Sequence, residues 1–193
     1  MDLTQGTERE KQRRAKKMML WFGIISLVMT FAGLTSAFIV SSSREDWLKE
    51  FQLPLAFTVS TILIVISSIF MLMALRSIKA NKRKETTWFL LLTLGLGIAF
   101  IVAQFVGYGQ IIDSGYHFTG ETSNVTMSFI YVISLLHIAH VIAGLICLIV
   151  VIYNHFKQKY NSSETLGFEL AATFWHFVDI LWLYLFLFFC FYR

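Results

Sequence analysis

Phe174-Trp175-His176-Phe177-Val178-Asp179 lies inside the apolar block Leu170 to Tyr192 and places a histidine and an aspartate in sequence that otherwise reads as buried in lipid. The two side chains stand one helical turn apart and so share a face. An ionisable group near the bilayer centre costs roughly 2.5 to 3.5 kcal/mol on insertion scales, so it is tolerated where it faces protein and finds a partner. A block of this length and polarity decides the fold class, because hydrocarbon leaves the backbone no hydrogen-bond partner outside its own helix.

Four further blocks are long enough to cross a core that needs about 20 apolar residues: Met18 to Val40, Leu53 to Leu75, Trp88 to Ile112 and Thr126 to Ile152. With 56% hydrophobic and 15% charged residues in 193, the chain has too little polar surface to clothe a soluble globule. The reading is an all-α polytopic membrane protein with five spans in a single membrane domain, residues 1–193. The block Met18 to Val40 is too long for a signal-peptide core and no small-residue cleavage site follows it, so it is expected to be retained.

The basic residues set the topology. Arg9, Lys11, Arg13, Arg14, Lys16 and Lys17 precede the first span, Arg76, Lys79, Lys82, Arg83 and Lys84 follow the second, and Lys157 and Lys159 follow the fourth. The opposite side has Arg44, Lys49 and Arg193. The N-terminus is therefore expected in the cytoplasm and the C-terminus outside. This clustering between apolar blocks carries topology rather than nucleic-acid binding. The segment Thr7 to Lys17 reads as a solvated positive flank.

Several marks are structural. Trp47 is expected near the membrane interface and Pro54 in the first turn of the second span, where its missing N–H does no harm. The hydroxyls of Thr58, Ser60, Thr61, Ser67 and Ser68 are expected to bond their own backbone or a neighbouring helix. Gly95, Ala99, Ala103 and Gly107 recur every fourth residue and read as a helix-packing seam, a device repeated by Ala139, Ala143 and Cys147. Gln104 and Tyr108 are expected to be interhelical hydrogen-bond partners. Cys147 and Cys190 read as packed thiols. The patterns at Asn124 to Thr126 and Asn161 to Ser163 are expected to be chance matches to a glycosylation signal.

His137 and His140 stand one turn apart in the fourth span and His176 and Asp179 one turn apart in the fifth, with His140 and Asp179 at nearly the same depth and His176 roughly 6 Å deeper toward the cytoplasm than His140. An imidazole of His140 donating to the Asp179 carboxylate would satisfy both groups, and Glu169 is expected to meet His155 or a lysine of the same loop. Three readings of this set stand: a buried polar clasp between helices, a metal or haem site, and a proton or solute path. The residues alone leave all three open.

The run FWHFVDILWLYLF, with LHIAHVIAG around His137 to Gly144 and GFE at Gly167 to Glu169, resembles subunit III of the haem-copper oxidases. Gln104 with Tyr108, Leu53 with Pro54, and Ile24 to Ser26 extend the resemblance through all five spans. Larger members of that family have two additional N-terminal helices, so the chain resembles the short, five-helix form. The resemblance implies a non-catalytic subunit of a bacterial inner-membrane respiratory oxidase. That enzyme reduces oxygen to water and translocates protons, with cytochrome c as donor and quinol as the runner-up. It also implies haem and copper in partner subunits and none in this chain, no catalytic or metal-binding residue here, bound phospholipid, and contact with the catalytic subunit I that supports proton uptake. His137, His140, Glu169, His176 and Asp179 then match a buried polar set engaged in interhelical hydrogen bonding. Two positions depart from the family, which commonly has an acidic residue where this chain has Leu27 and a glutamate where it has Gly107. From other classes, a small transporter or channel and a stand-alone membrane haem or metal enzyme are the alternatives.

Overall fold

The computed structural model describes residues 6–45, 47–48, 53–116, 124–161 and 164–192. Lys49, Glu121, Ser162, Ser163 and Arg193 lie outside the described residues. The five helices are α1 (Glu8–Ser41), α2 (Leu55–Lys79), α3 (Arg83–Asp113), α4 (Val125–Phe156) and α5 (Leu166–Phe191). All five are long and apolar enough to cross a membrane, and among the described residues there is no strand.

The helices overrun the apolar blocks because their ends are capped in polar sequence. Thr7 and Glu10 form a reciprocal capping box, so the basic flank is helical and continuous with the first span. Asn124 caps α4 by accepting from the Thr126 N–H at 2.9 Å, which gives that asparagine a structural duty. Pro54 sits at the N-cap of α2, one residue before the helix rather than in its first turn. Three helices end on one device: Asn81, Gly115 and Gln158 take positive φ of 58°, 88° and 57°. The following N–H groups of Lys82, Tyr116 and Lys159 then reach back to the carbonyls of Ser77, Ile111 and Asn154.

Each helix buries a row that repeats every seven residues, the period at which a slightly supercoiled helix keeps one stripe toward its neighbours. The rows are Ile24, Phe31 and Phe38 in α1; Phe57, Ile64, Met71 and Ile78 in α2; Thr86, Thr93, Phe100 and Gly107 in α3; Met127, Ser134, Val141, Leu148 and His155 in α4; and Phe168, Trp175, Trp182 and Phe189 in α5. Four helices carry a second buried row beside the first, including Ser60, Ser67 and Ala74 in α2. In α1 the only buried residue outside the row is Thr35.

The arrangement follows from these rows. Helices α2 and α3 form the most extensive pairing, α5 lies against α4, α2 and α1, and α3 also meets α4. Among the described residues α1 packs only on α4 and α5. Trp47, in the segment after α1, is buried. It folds inward against Phe38, ring centroids 4.7 Å apart and nearly perpendicular, and Leu48 donates its N–H to Thr126 Oγ1 at 3.0 Å.

The expected seam is only partly realised. Gly107 meets Phe57, but Gly95 has no neighbour within 4 Å of where a Cβ would stand. Ala139, Ala143 and Cys147 all face outward, so Cys147 is not a packed thiol. A step of four residues turns 40° further than a full helical turn, so a strip at that interval drifts off the buried row within three steps. Gly97 and Gly144 flank the Trp175 indole: a Cβ on Gly97 would lie 2.7 Å from that ring and one on Gly144 3.1 Å.

Because the indole is buried on all sides and hydrogen-bonded, it has no room to give way. Gly97→Ala is expected to cost roughly 1–3 kcal/mol through overpacking, while Gly95→Ala is neutral within about 0.5 kcal/mol. Thermal melts of the two variants in one detergent check this, and equal melting points would overturn it.

Candidate functional site

The polar groups inside the membrane segments are organised by α2, whose side chains carry no charge between Leu55 and Leu75. Its hydroxyls form a ladder along the bundle interior. Ser60 and Thr61 both donate to the Phe57 carbonyl at 2.8 Å. Their lone pairs then accept from Gln104 Nε2 of α3 at 2.8 Å and Trp182 Nε1 of α5 at 2.9 Å. One turn and a half further on, Ser67 donates to the Thr93 carbonyl at 3.3 Å and accepts from Trp175 Nε1 at 3.2 Å. Ser68 Oγ lies 2.6 Å from His176 Nδ1. A hydroxyl both donates and accepts, so Ser60, Thr61 and Ser67 each satisfy a backbone carbonyl and an incoming N–H with one small side chain.

The indole positions were part of the quoted motif, yet their partners were not evident from the fifth span alone. The signal that finds them is the shared period: Trp175 and Trp182 recur at seven, as do Ser60 and Ser67 on the facing helix. Tyr108 donates to Ser134 Oγ at 2.8 Å, and Ser134 donates on to the Ile130 carbonyl. Gln104 and Tyr108 are thus the interhelical partners that the sequence suggested.

The expected pair between His140 and Asp179 does not form. His140 Nδ1 donates instead to the Leu136 carbonyl of its own helix at 2.7 Å, which places the ring's proton away from α5. His137 is fully buried and neither ring nitrogen has a hydrogen-bond partner among the described residues. It packs as an aromatic, its centroid 5.1 Å from Trp182, 6.0 Å from Phe100 and 6.4 Å from Phe31. Asp179 is buried, and neither of its carboxyl oxygens has a hydrogen-bond partner among the described residues. The Ser68 hydroxyl of α2 contacts His176, the other polar residue of the quoted run.

Glu169 also finds partners other than those expected. His155 pairs with Thr87 Oγ1 of α3 at 3.0 Å. Glu169, just ahead of the apolar stretch of α5, accepts from Lys79 of α2 at 2.9 Å, lies 3.8 Å from Lys17 of α1 and accepts from Thr165 at 3.0 Å. The hydrogen bond from the Lys79 ammonium, with Thr165 and the charge of Lys17 adding to it, holds the carboxyl below its ordinary value against the opposing effect of partial burial. One glutamate thus ties together α1 and α2, which do not pack on each other. Among the described residues no three His, Cys, Asp or Glu side chains converge closely enough to hold a metal ion. The buried polar groups are dispersed along helix contacts, an arrangement that orients helices and gathers no reacting atoms at one point.

The family model described as cytochrome c oxidase subunit III matches residues 4–193. The chain is 33% identical over 143 residues to a protein named "Cytochrome c oxidase subunit 3" from Spodoptera frugiperda, covering 72% of this chain and 88% of that one. Proteins of the same name from Petromyzon marinus and Aedes aegypti are similarly related. The first is 33% identical over 181 residues, 85% of this chain and 64% of its own length. The second is 32% identical over 143 residues, 72% of this chain and 50% of its own length. The chain thus spans between half and two thirds of these two relatives.

Two outcomes follow from the polar contacts. His137→Leu removes a buried ring with no hydrogen bond to lose, so stability is expected to hold within about 1 kcal/mol or to rise. A loss above roughly 2 kcal/mol in a denaturant or thermal melt would assign the ring a bonding duty. For Glu169, whose carboxyl is held below its ordinary 4.5, the stabilisation is full above that value and drains as pH falls through the lowered one. The wild-type advantage over Glu169→Gln, at most about 1 kcal/mol for so open a contact, should shrink in melts below that pH, and an advantage that grows there would refute the assignment.

Proposed function

The chain belongs to the cytochrome c oxidase subunit III family, and from that membership we propose that it is a non-catalytic subunit of a respiratory haem-copper terminal oxidase, which reduces oxygen to water while translocating protons. The match that runs through all five helices carries this reading. In the proposal, haem and copper belong to partner subunits. This chain packs against the catalytic subunit I, binds phospholipid, and supports proton uptake through that contact rather than through titrating groups of its own. The positions commonly acidic in the family, Leu27 and Gly107 here, carry no proton in this chain, and Gly107 is filled by packing against Phe57.

The structural role accords with the chemistry of the interior. Three α2 hydroxyls meet two indoles and a glutamine, a fourth meets His176, and Tyr108 meets Ser134 across helix contacts, which holds a rigid surface for a neighbour to bind. We place the end that carries Lys17, Lys79 and Glu169 in the cytoplasm of a bacterium, with the chain in its plasma membrane, because the basic residues gather at that end.

Extraction of the native membrane in mild detergent with this chain tagged tests the proposal. The tagged chain is expected to bring down a larger polypeptide together with haem and copper signals, and the chain purified by itself to show no Soret band and no solute flux in vesicles. Recovery of the chain alone from active membranes, or colour in the isolated chain, would overturn it.

A further inference from the structure

We infer that the half of α1 nearer Lys17 is a lateral gate: the helix pivots about its contacts at Phe31 to Phe38, and the pair between Lys17 and Glu169 latches the swinging arm over a groove beside α4 and α5. The gate is independent of the oxidase assignment and follows from how unevenly α1 is held along its length. The pivot end is gripped on several sides. Phe38 packs against Trp47, Phe129, Phe188 and Phe189, with ring centroids 4.7 to 6.1 Å away. Thr35 Oγ1 lies 3.2 Å from the Tyr184 hydroxyl, and Phe31 meets the His137 and His140 rings edge to face. Phe31 and Phe38 both belong to the contiguous hydrophobic core. This end of the helix cannot shift without breaking contacts to α4 and α5 together.

The other end is held differently. From Glu8 to Leu27 only Ile24 is buried, and it stands outside the hydrophobic cluster that takes in Phe31 and Phe38. Beside this arm a groove of about 580 Å³ opens, with Leu20 of α1 on one side, Cys147 and Val150 of α4 on another, and Leu170 and Phe174 of α5 completing it. Helix α2 gives the arm no packing support. At the tip the Lys17 ammonium lies 3.8 Å from the Glu169 carboxylate. That carboxylate is a fixed receiver, because Lys79 and Thr165 hold it whether or not Lys17 is present.

A groove in a bilayer has no hydrophobic drive to close, because lipid tails fill it as well as side chains do. The charge contact at the tip therefore favours the closed position. Both of its members are open to solvent, with side chains 53% and 26% exposed. Such a pair is weak and is weakened further by salt, so the arm exchanges between latched and released positions. Leverage makes the motion effective. Lys17 stands about 21 Å from Phe31 along the helix, so a tilt of roughly 10° at the pivot carries it about 4 Å and widens the groove toward the lipid on the Lys17 side.

Spin-label distances in the full chain, reconstituted in phospholipid vesicles with Cys147 and Cys190 replaced by serine, test the gate. One label pair, at Lys16→Cys and Phe156→Cys, spans the arm and α4, and a second, at Val40→Cys and Val132→Cys, spans the same two helices at the pivot end; all four native side chains are exposed. At low salt the first pair is expected to show a shorter and a longer distance population, roughly 4 Å or more apart by the leverage above. Lys17→Gln, Glu169→Gln and raised salt are each expected to enrich the longer one, while the second pair stays narrow and unmoved. Lys79→Gln, which leaves the latch in place, is expected to match wild type. Should Glu169→Gln fail to insert, Lys17→Gln carries the test alone. A first pair that Lys17→Gln and salt leave unchanged, a second pair that lengthens together with the first, or Lys79→Gln opening the arm as far as Lys17→Gln would overturn the inference.

Discussion

Hydrocarbon offers no hydrogen-bond partner, so every polar side chain drawn into the membrane must be answered by another part of the same bundle. In this chain the answer is supplied by small hydroxyls. Ser60, Thr61, Ser67 and Ser68 on α2 receive an amide, two indole N–H groups and an imidazole contact from α3 and α5. Serine and threonine suit this duty because they back-bond to a carbonyl of their own helix and still present lone pairs sideways. The larger partners then settle into the space that glycine leaves: Trp175 between Gly97 and Gly144, and Trp182 stacked on Phe57 at 18°. Hydrogen bonding fixes which helices meet and packing fixes how closely.

Much of the fold could be read before the structure. Five apolar blocks, their length and the absence of an alternative for their backbones gave five helices in the right places, and each span lies within about five residues of its helix at both ends except at the start of α1, which begins ten residues before Met18. The extensions were harder because they rest on local chemistry: a capping box at Thr7 and Glu10, and αL termini at Asn81, Gly115 and Gln158. The seam was misread for a reason of geometry. Intervals of four attract the eye, but buried stripes of packed membrane helices recur every seven, and only Gly107 belongs to both patterns.

The polar set was legible as a set and illegible as pairs. His137, His140, Glu169, His176 and Asp179 were identified by the simple cost of placing such groups in an apolar block. Which partner each takes depends on helix rotation, and a rotation of one residue moves a side chain by 100°. Equal depth made His140 and Asp179 look matched, yet His140 closes on its own backbone and the Asp179 carboxyl oxygens have no hydrogen-bond partner among the described residues. Glu169 was expected within its loop and is instead reached by lysines from the ends of two other helices. Depth is a one-dimensional quantity that the sequence contains; azimuth is set by the sum of all the buried rows and emerges only when the helices are packed together.

That sum also sets a gradient of stability across the bundle. Helices α2 to α5 each present two buried rows and are joined by hydrogen bonds between side chains, whereas α1 contributes one row, the Thr35 to Tyr184 bond and the long contact from Lys17 to Glu169. Local stability follows buried apolar contact and protected hydrogen bonds, so α1 is the element that separates first and the other four form the body it leans on. The exposed side of α1, with Met19, Phe22, Met29 and Val40 each more than 60% uncovered, is a broad apolar face. In a bilayer such a face is at no disadvantage, since lipid tails are as apolar as the side chains. The weak hold on α1 is therefore a matter of few specific contacts rather than of hydrophobic surface left bare, and Glu169 matters more than its exposure suggests because it pairs with Lys17 of α1 and with Lys79 of α2.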